Sequence, residues 1–176
     1  VDTREVWRIP HAGSLRRLVR VAESLPDPGP GEARVRVRAI GLNFADLFAC
    51  LGLYSATPRG AFVPGLEFAG VVEALGSATE PGAPRPGARV LGLTRFGAYA
   101  TALNIDLRYL HPSPTDWDFA EAAAFPVQGL TAWYALLELG GLKRGAAVLL
   151  HSAAGGVGLN AFRILAAQEA RVVATV

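Results

Sequence analysis

Between the apolar run Ala146–Leu150 and a helical run from Leu159 to about Glu169 lies a small-residue loop, Ser152–Gly158, which includes Ala153-Ala154-Gly155-Gly156-Val157-Gly158. These six fit A-x-G-x-x-G, the dinucleotide fingerprint with alanine in its first glycine place. A second β-type run, Arg171–Val176, follows at the distance a βαβ unit requires. This order constrains the fold more than any other feature of the chain. A loop without side chains lets backbone approach a pyrophosphate, whose charge then meets the free N–H groups at the start of the next helix. Gly158 would let helix and strand pack closely. A glycine loop alone is also a plain tight turn; the strand before it and the helix and strand after it favour dinucleotide binding. The candidate cofactor-binding residues here are Ala153, Gly155, Gly156, Val157 and Gly158. The acidic residue that would hold a ribose 2′-hydroxyl belongs at the end of the second strand. That strand reads Val172-Val173-Ala174-Thr175-Val176, so the position choosing between NAD and NADP is expected just after it.

Upstream of about residue 115 the pattern is that of β-structure. In Glu32–Ile40, Val35, Val37 and Ala39 alternate with Arg34, Arg36 and Arg38, the period of a half-buried strand. Val6–Ile9, Leu15–Val21, Leu66–Leu75, Arg89–Leu93 and Ala98–Leu103 are further strand candidates between Pro/Gly punctuation. Gly76–Gly87 reads as a surface loop, and a short helical turn follows Asn43 through Leu51. Beyond residue 115, Thr115 or Asp116 can cap a helix through Phe119–Phe125, which Pro126 interrupts. A second helix is expected over Gln128–Leu139, ending at Gly140-Gly141.

Composition excludes several classes. Hydrophobic residues make up 51% and charged residues 18% of the 176, too apolar for a disordered tail. No apolar run reaches the roughly 20 residues of a spanning helix. One cysteine, Cys50, leaves neither a disulfide scaffold nor a cysteine-built zinc cluster. A net charge of +2, from arginines scattered along the chain, gives no reason to expect a nucleic-acid partner. With no signal-peptide h-region, a cytoplasmic location is expected, or an organelle if a transit peptide has been removed.

The glycine loop, taken with Gly41-Leu42-Asn43-Phe44-Ala45-Asp46, Gly52-Leu53-Tyr54, Pro64-Gly65-Leu66-Glu67-Phe68-Ala69-Gly70-Val71-Val72, Gly129-Leu130-Thr131-Ala132 and His151-Ser152, resembles the medium-chain dehydrogenase/reductase superfamily. The nearest branch is that of the zinc-independent quinone oxidoreductases, which includes zeta-crystallin, the synaptic vesicle membrane protein family and polyketide synthase enoyl reductase domains. The resemblance implies a β-rich GroES-like catalytic domain over 1–125. It implies the first βαβ of a Rossmann nucleotide-binding domain over 126–176, with the active site in the cleft between the two. It also implies a considerably longer protein, either a homodimer or a subunit of a larger complex.

Zinc-dependent members of the superfamily carry a cysteine where this chain has Asn43 and a histidine where it has Leu66. Catalytic zinc needs three protein ligands, so no metal is expected. His11, His111 and His151 show no ligand spacing, and His151 reads as a packed strand-end residue. Glu67 reads as a structural hydrogen-bond or ion-pair partner, Asp46 as a cap, Cys50 as a small buried hydrophobe. The resemblance implies that Asn43 and Thr131 contact the nicotinamide end of NADPH, with NADH as the alternative, while Tyr54 faces the substrate and Phe48 forms an apolar wall. Asn43 and Tyr54 are thus the catalytic candidates. Two functions follow: NADPH-dependent reduction of a quinone or an α,β-unsaturated carbonyl, or a non-catalytic family member serving as a structural subunit. An enoyl reductase module of a multidomain synthase is a third.

Overall fold

The structure, a computed structural model, describes residues 2–78 and 82–176. The chain divides into two compact units, Val1–Ala124 and Phe125–Val176.

The first unit is β-rich. Strands β1 (Asp2–Arg8) and β2 (Val19–Leu25) form an antiparallel pair. A five-stranded antiparallel sheet combines β3 (Glu32–Ile40), β4 (Glu67–Leu75), β5 (Arg89–Leu93), β6 (Ala102–Asp106) and β7 (Leu110–Pro112) in the order β6-β3-β4-β5-β7. The expected alternation of β3 holds for Val35, which is fully buried with Ala33, Phe68, Val72, Val90 and Leu103 in the main core. Arg34 departs from it. Its guanidinium is buried, donating to the Pro26 carbonyl at 2.7 Å and pairing with Asp2. A buried charge is tolerated only when paired and hydrogen-bonded, and here β1 and the loop after β2 supply the partners.

Several boundaries move from their expected places, beginning with β1, which spans Asp2–Arg8 rather than Val6–Ile9. Leu15–Arg17 form a 3-10 turn capped by Ser14, so β2 begins at Val19 rather than Leu15. Ala98 is buried but precedes the strand, and β6 spans Ala102–Asp106 rather than Ala98–Leu103. Helix α2 (Phe119–Ala124) is capped by Asp118, not Thr115 or Asp116. The Glu121 N–H donates to Asp118 Oδ1 at 2.8 Å and the Asp118 N–H to Glu121 Oε2 at 3.0 Å, a reciprocal capping box. Its Ala122 and Ala123 pack on Ala69 and Leu91 of the sheet. Of the Gly76–Gly87 loop, residues 79–81 lie outside the described residues.

In the second unit Pro126 starts α3 (Pro126–Trp133) instead of merely interrupting a helix, because proline suits the first helical position. Tyr134–Leu139 continue as wider π-helical turns and end before Gly141, whose φ is +56°. Then come β8 (Ala147–Leu150), α4 (Gly156–Ala167) and β9 (Arg171–Ala174), with β8 and β9 parallel and Ala147 opposite Arg171. This is a GroES-like β-domain followed by the opening βαβ of a Rossmann domain. Helix α4 begins at Gly156, so two of the loop's glycines form its first turn rather than preceding it. Gly155 is extended (φ −76°, ψ 166°) and occupies the N-cap position.

Candidate functional site

The sequence candidates fall into two groups, one in each unit. In the first unit, α1 (Phe44–Leu51) begins at Asn43, whose extended backbone (φ −126°, ψ 153°) turns the chain out of β3 and into the helix. The Asn43 N–H donates to Asp46 Oδ2 at 2.9 Å, and Asp46 thereby caps the helix as expected. The Asn43 carboxamide is held as well, Nδ2 donating to Glu67 Oε1 at 2.8 Å. Glu67 opens β4 and is fully buried. Its carboxylate lies against Gly41, where any Cβ would collide with it. Glycine at 41 therefore makes room for the pair.

Around this pair the interior is polar. Asp46 is 2% exposed, and burial pushes its carboxyl above the usual carboxylate range, partly offset by the Asn43 N–H that donates to Oδ2 and by the nearby Tyr99 hydroxyl and Gly65 N–H; its Oδ1 is buried with no hydrogen-bond partner among the described residues. Burial, and then the Asp46 charge, push the Tyr99 phenol and the Cys50 thiol upward too. Cys50 is the inert buried thiol the sequence suggests. Gly52, in the left-handed region at φ +78°, ends α1 and leads to Tyr54, a half-exposed ring whose carbonyl accepts from Thr57 N and Oγ1. Phe44 and Phe48 stack along the exposed side of α1 with centroids 6.5 Å apart.

The donor set does not fit zinc. Leu66 offers no ligand atom, and Asn43 turns its NH2 group toward the Glu67 carboxylate. Among the described residues no three His, Cys, Asp or Glu side chains are placed to share an ion.

In the second unit, the three glycines of the loop have different reasons to be glycine. At Gly158 a Cβ would come within 2.5 Å of the Ala153 carbonyl oxygen and 2.6 Å of that of Ser152, so its absence lets α4 start against the loop. At Gly156 a Cβ would fall on the Gln128 carboxamide from α3. Gly155 is different: it is exposed, its φ suits any residue, and a Cβ would meet only Ser152 O at 3.3 Å. Neither backbone conformation nor packing within the chain demands glycine there. The N–H groups of Gly156, Val157 and Gly158 form the first turn of a twelve-residue helix that has no side-chain cap, a polar surface suited to phosphate oxygens. The residues thus fit a dinucleotide pyrophosphate.

Ala153 is buried and donates its N–H to Thr175 O at 2.9 Å, tying the loop to the residue after β9. Thr131 is exposed on α3, but its hydroxyl donates to Val127 O at 2.6 Å. That proton is spent within the helix, so Thr131 can offer a ligand only an acceptor oxygen. His151 is exposed, not packed, with Nδ1 2.9 Å from Thr175 Oγ1. Sequence reasoning missed Tyr99 beside Asp46 and Gln128 beside Gly156. Neither carries a local signal, since each is made meaningful by a residue distant in the chain.

Residues 29–115 match the alcohol dehydrogenase GroES-like domain family. The chain is 39% identical over 146 residues to the human synaptic vesicle membrane protein VAT-1 homolog-like, covering 83% of this chain and 34% of that protein. The crystal structure of that human protein superposes with a TM-score of 0.92 at 34% identity, over 99% of this chain and 56% of the other. Pikromycin polyketide synthase component PikAII of Streptomyces venezuelae is 45% identical over 168 residues, 90% of this chain and 4% of that one. Escherichia coli quinone oxidoreductase, solved in complex with NADPH, superposes with a TM-score of 0.88 at 34% identity, over 99% of this chain and 52% of its own. The chain therefore spans about a third of the human relative's sequence and about half of the matched crystal chains. With both units matched along almost their whole length, the chain belongs to the medium-chain dehydrogenase/reductase superfamily, in its quinone oxidoreductase-like branch.

Proposed function

We propose that the protein is an NADPH-dependent reductase that acts without metal on a quinone or an α,β-unsaturated carbonyl, with residues 1–125 as catalytic domain and 126–176 opening the nucleotide-binding domain. The observation that carries the reading is Gly155, a glycine required neither by backbone conformation nor by packing, at the uncapped start of α4. The dinucleotide, when bound, supplies the hydride. Gly155, Gly156, Val157 and Gly158 offer N–H groups and open backbone to its pyrophosphate, and Ala153 anchors the loop. Thr131 offers an acceptor oxygen, and Asn43 a carboxamide fixed at one end. Tyr54 and Phe48 furnish a phenol and an apolar ring for a conjugated acceptor, a mixed polar and apolar lining of the kind small-molecule sites use. NADPH is favoured over NADH because the E. coli relative was solved in complex with NADPH.

The test is a fluorescence titration of the full-length protein with NADPH and NADH, followed by NADPH oxidation against quinones, enones and enoyl thioesters in the presence of a chelator. Turnover of any of these supports the reading; absence of dinucleotide binding overturns it in favour of a non-catalytic structural subunit. A second reading, an enoyl reductase module of a multidomain synthase, is favoured by the 45% identity to the polyketide synthase component. Its mark is selectivity for enoyl thioesters together with a very large parent chain.

A further inference from the structure

We infer that Glu67 is a positioning residue: it fixes which end of the Asn43 carboxamide is held inside the protein and which polar group is left for a ligand. The inference rests on the reading of Asn43 as a cofactor- or substrate-facing residue. Asn43 is partly exposed at the start of α1, whereas Glu67 is fully buried beside it. An amide side chain can present either a carbonyl oxygen or an NH2 group, and the two ends have nearly the same shape. A carboxyl oxygen that accepts a hydrogen bond can face only the NH2 end of the amide, never its oxygen. The 2.8 Å contact from Asn43 Nδ2 to Glu67 Oε1 is therefore a chemical choice and not merely a geometric one.

The opposite end is constrained as well. The carboxamide oxygen lies on the side of the Asp46 N–H, which donates to the Asn43 backbone oxygen at 3.1 Å, while the Asp46 carboxylate accepts from the Asn43 N–H. With one Nδ2 hydrogen on Glu67 and the oxygen on the helix side, the second Nδ2 hydrogen is the donor left over. Asn43 then offers an N–H to a carbonyl or hydroxyl oxygen of the ligand. Glu67 is held in turn: it is fully buried, filling the space that a side chain at Gly41 would take, and the Gly41 N–H donates to its backbone oxygen at 3.3 Å. The side chain that sets Asn43 is thus itself locked by packing, as a precise site requires.

The experiment compares Glu67→Gln, which keeps an acceptor oxygen, with Glu67→Met, which keeps bulk and removes the acceptor. The side-chain carboxamide resonances of Asn43 are followed by 15N NMR, and turnover is measured on the full-length protein. Glu67→Met should move the Asn43 carboxamide pair and lower kcat roughly tenfold, about the scale of one misplaced hydrogen bond, with little change in KM. Glu67→Gln should restore most of both. If Glu67→Met does not fold, solvent exchange in the unaltered protein decides: one Asn43 carboxamide proton should exchange more slowly than its twin. Unchanged carboxamide resonances in a folded Glu67→Met protein, or equal exchange of both protons, would overturn the inference. So would displaced resonances with unaltered turnover. Absence of turnover in the unaltered protein would instead defeat the proposed function, while the resonances would still decide whether Glu67 holds Asn43.

Discussion

Replacing Gly155 by aspartate should make the protein slightly more stable and nearly abolish dinucleotide binding. The two effects have opposite signs because the same N–H groups serve both. Gly155 is the N-cap of α4, with φ −76° and ψ 166°, a conformation aspartate adopts without strain. Its new Cβ meets only the Ser152 oxygen at 3.3 Å, which has to yield by a few tenths of an ångström. An N-cap aspartate accepts from the N–H groups of the first turn, here Val157 or Gly158, and is better than glycine by a few tenths of a kcal/mol. Its charge at the positive end of the helix adds about 0.3–1 kcal/mol. The same charge about 4 Å from one pyrophosphate charge repels it by about 4 kcal/mol at an effective dielectric of 20, which is roughly a thousandfold in affinity. Fluorescence titration with NADPH and thermal melting of Gly155→Asp and Gly155→Asn separate the causes. Asparagine caps equally well without charge, so the Asp variant should bind far more weakly than the Asn variant. The gap should narrow at high salt, where the screening length falls to about 3 Å. Equal affinities for the unaltered protein and Gly155→Asp would refute the placement of the pyrophosphate; a drop in melting temperature would refute the reading of Gly155 as a cap.

Other outcomes follow from the same geometry. Gly158→Ala, whose Cβ would lie 2.5 Å from the Ala153 carbonyl oxygen, should cost about 1–3 kcal/mol in denaturant unfolding, as overpacked sites do. The Asp46 carboxyl is raised by burial, so the stability contributed by its protonated form is present below the ordinary carboxylate range and is lost as pH rises through the raised value. Asp46→Asn, neutral throughout, should therefore melt higher than the unaltered protein at about pH 8 and equal it at about pH 3. A lower melting temperature than the unaltered protein at about pH 8 would show that the cap needs the ionised carboxylate.

How far the sequence could be read depends on how local each determinant is. The βαβ unit was legible because strand, small-residue loop, helix and strand follow one another within thirty residues or so, a spacing set by backbone geometry. Asp46 was legible as a cap because its partner lies three residues away. The start of α4 was misplaced since a loop of glycines gives no side-chain signal for where helical hydrogen bonding begins. Strand β2 begins later than expected because Ser14 caps a 3-10 turn at Leu15–Arg17, which the Leu18 N–H closes onto the Leu15 oxygen. Arg34 defied the alternation of β3 because its compensation comes from Asp2 and Pro26, contributed by other elements. The Asn43–Glu67 pair joins residues 24 apart on a helix cap and a strand, so each residue was visible but not what binds them. The triple role of glycine in the loop became distinct only when α3 placed Gln128 over Gly156.

The central claim is hydride transfer from a nicotinamide to a conjugated acceptor without metal. It is tested most directly by incubating the full-length protein with NADPH deuterated at the transferring carbon, a chelator, and a panel of quinones, enones and enoyl thioesters, with product mass as the readout. The predicted result is one deuterium per molecule of reduced enone or enoyl thioester, or NADPH oxidation matched by quinone reduction, at a rate the chelator leaves unchanged. NADPH that stays unoxidised with every acceptor, or turnover that the chelator abolishes and zinc restores, would contradict it.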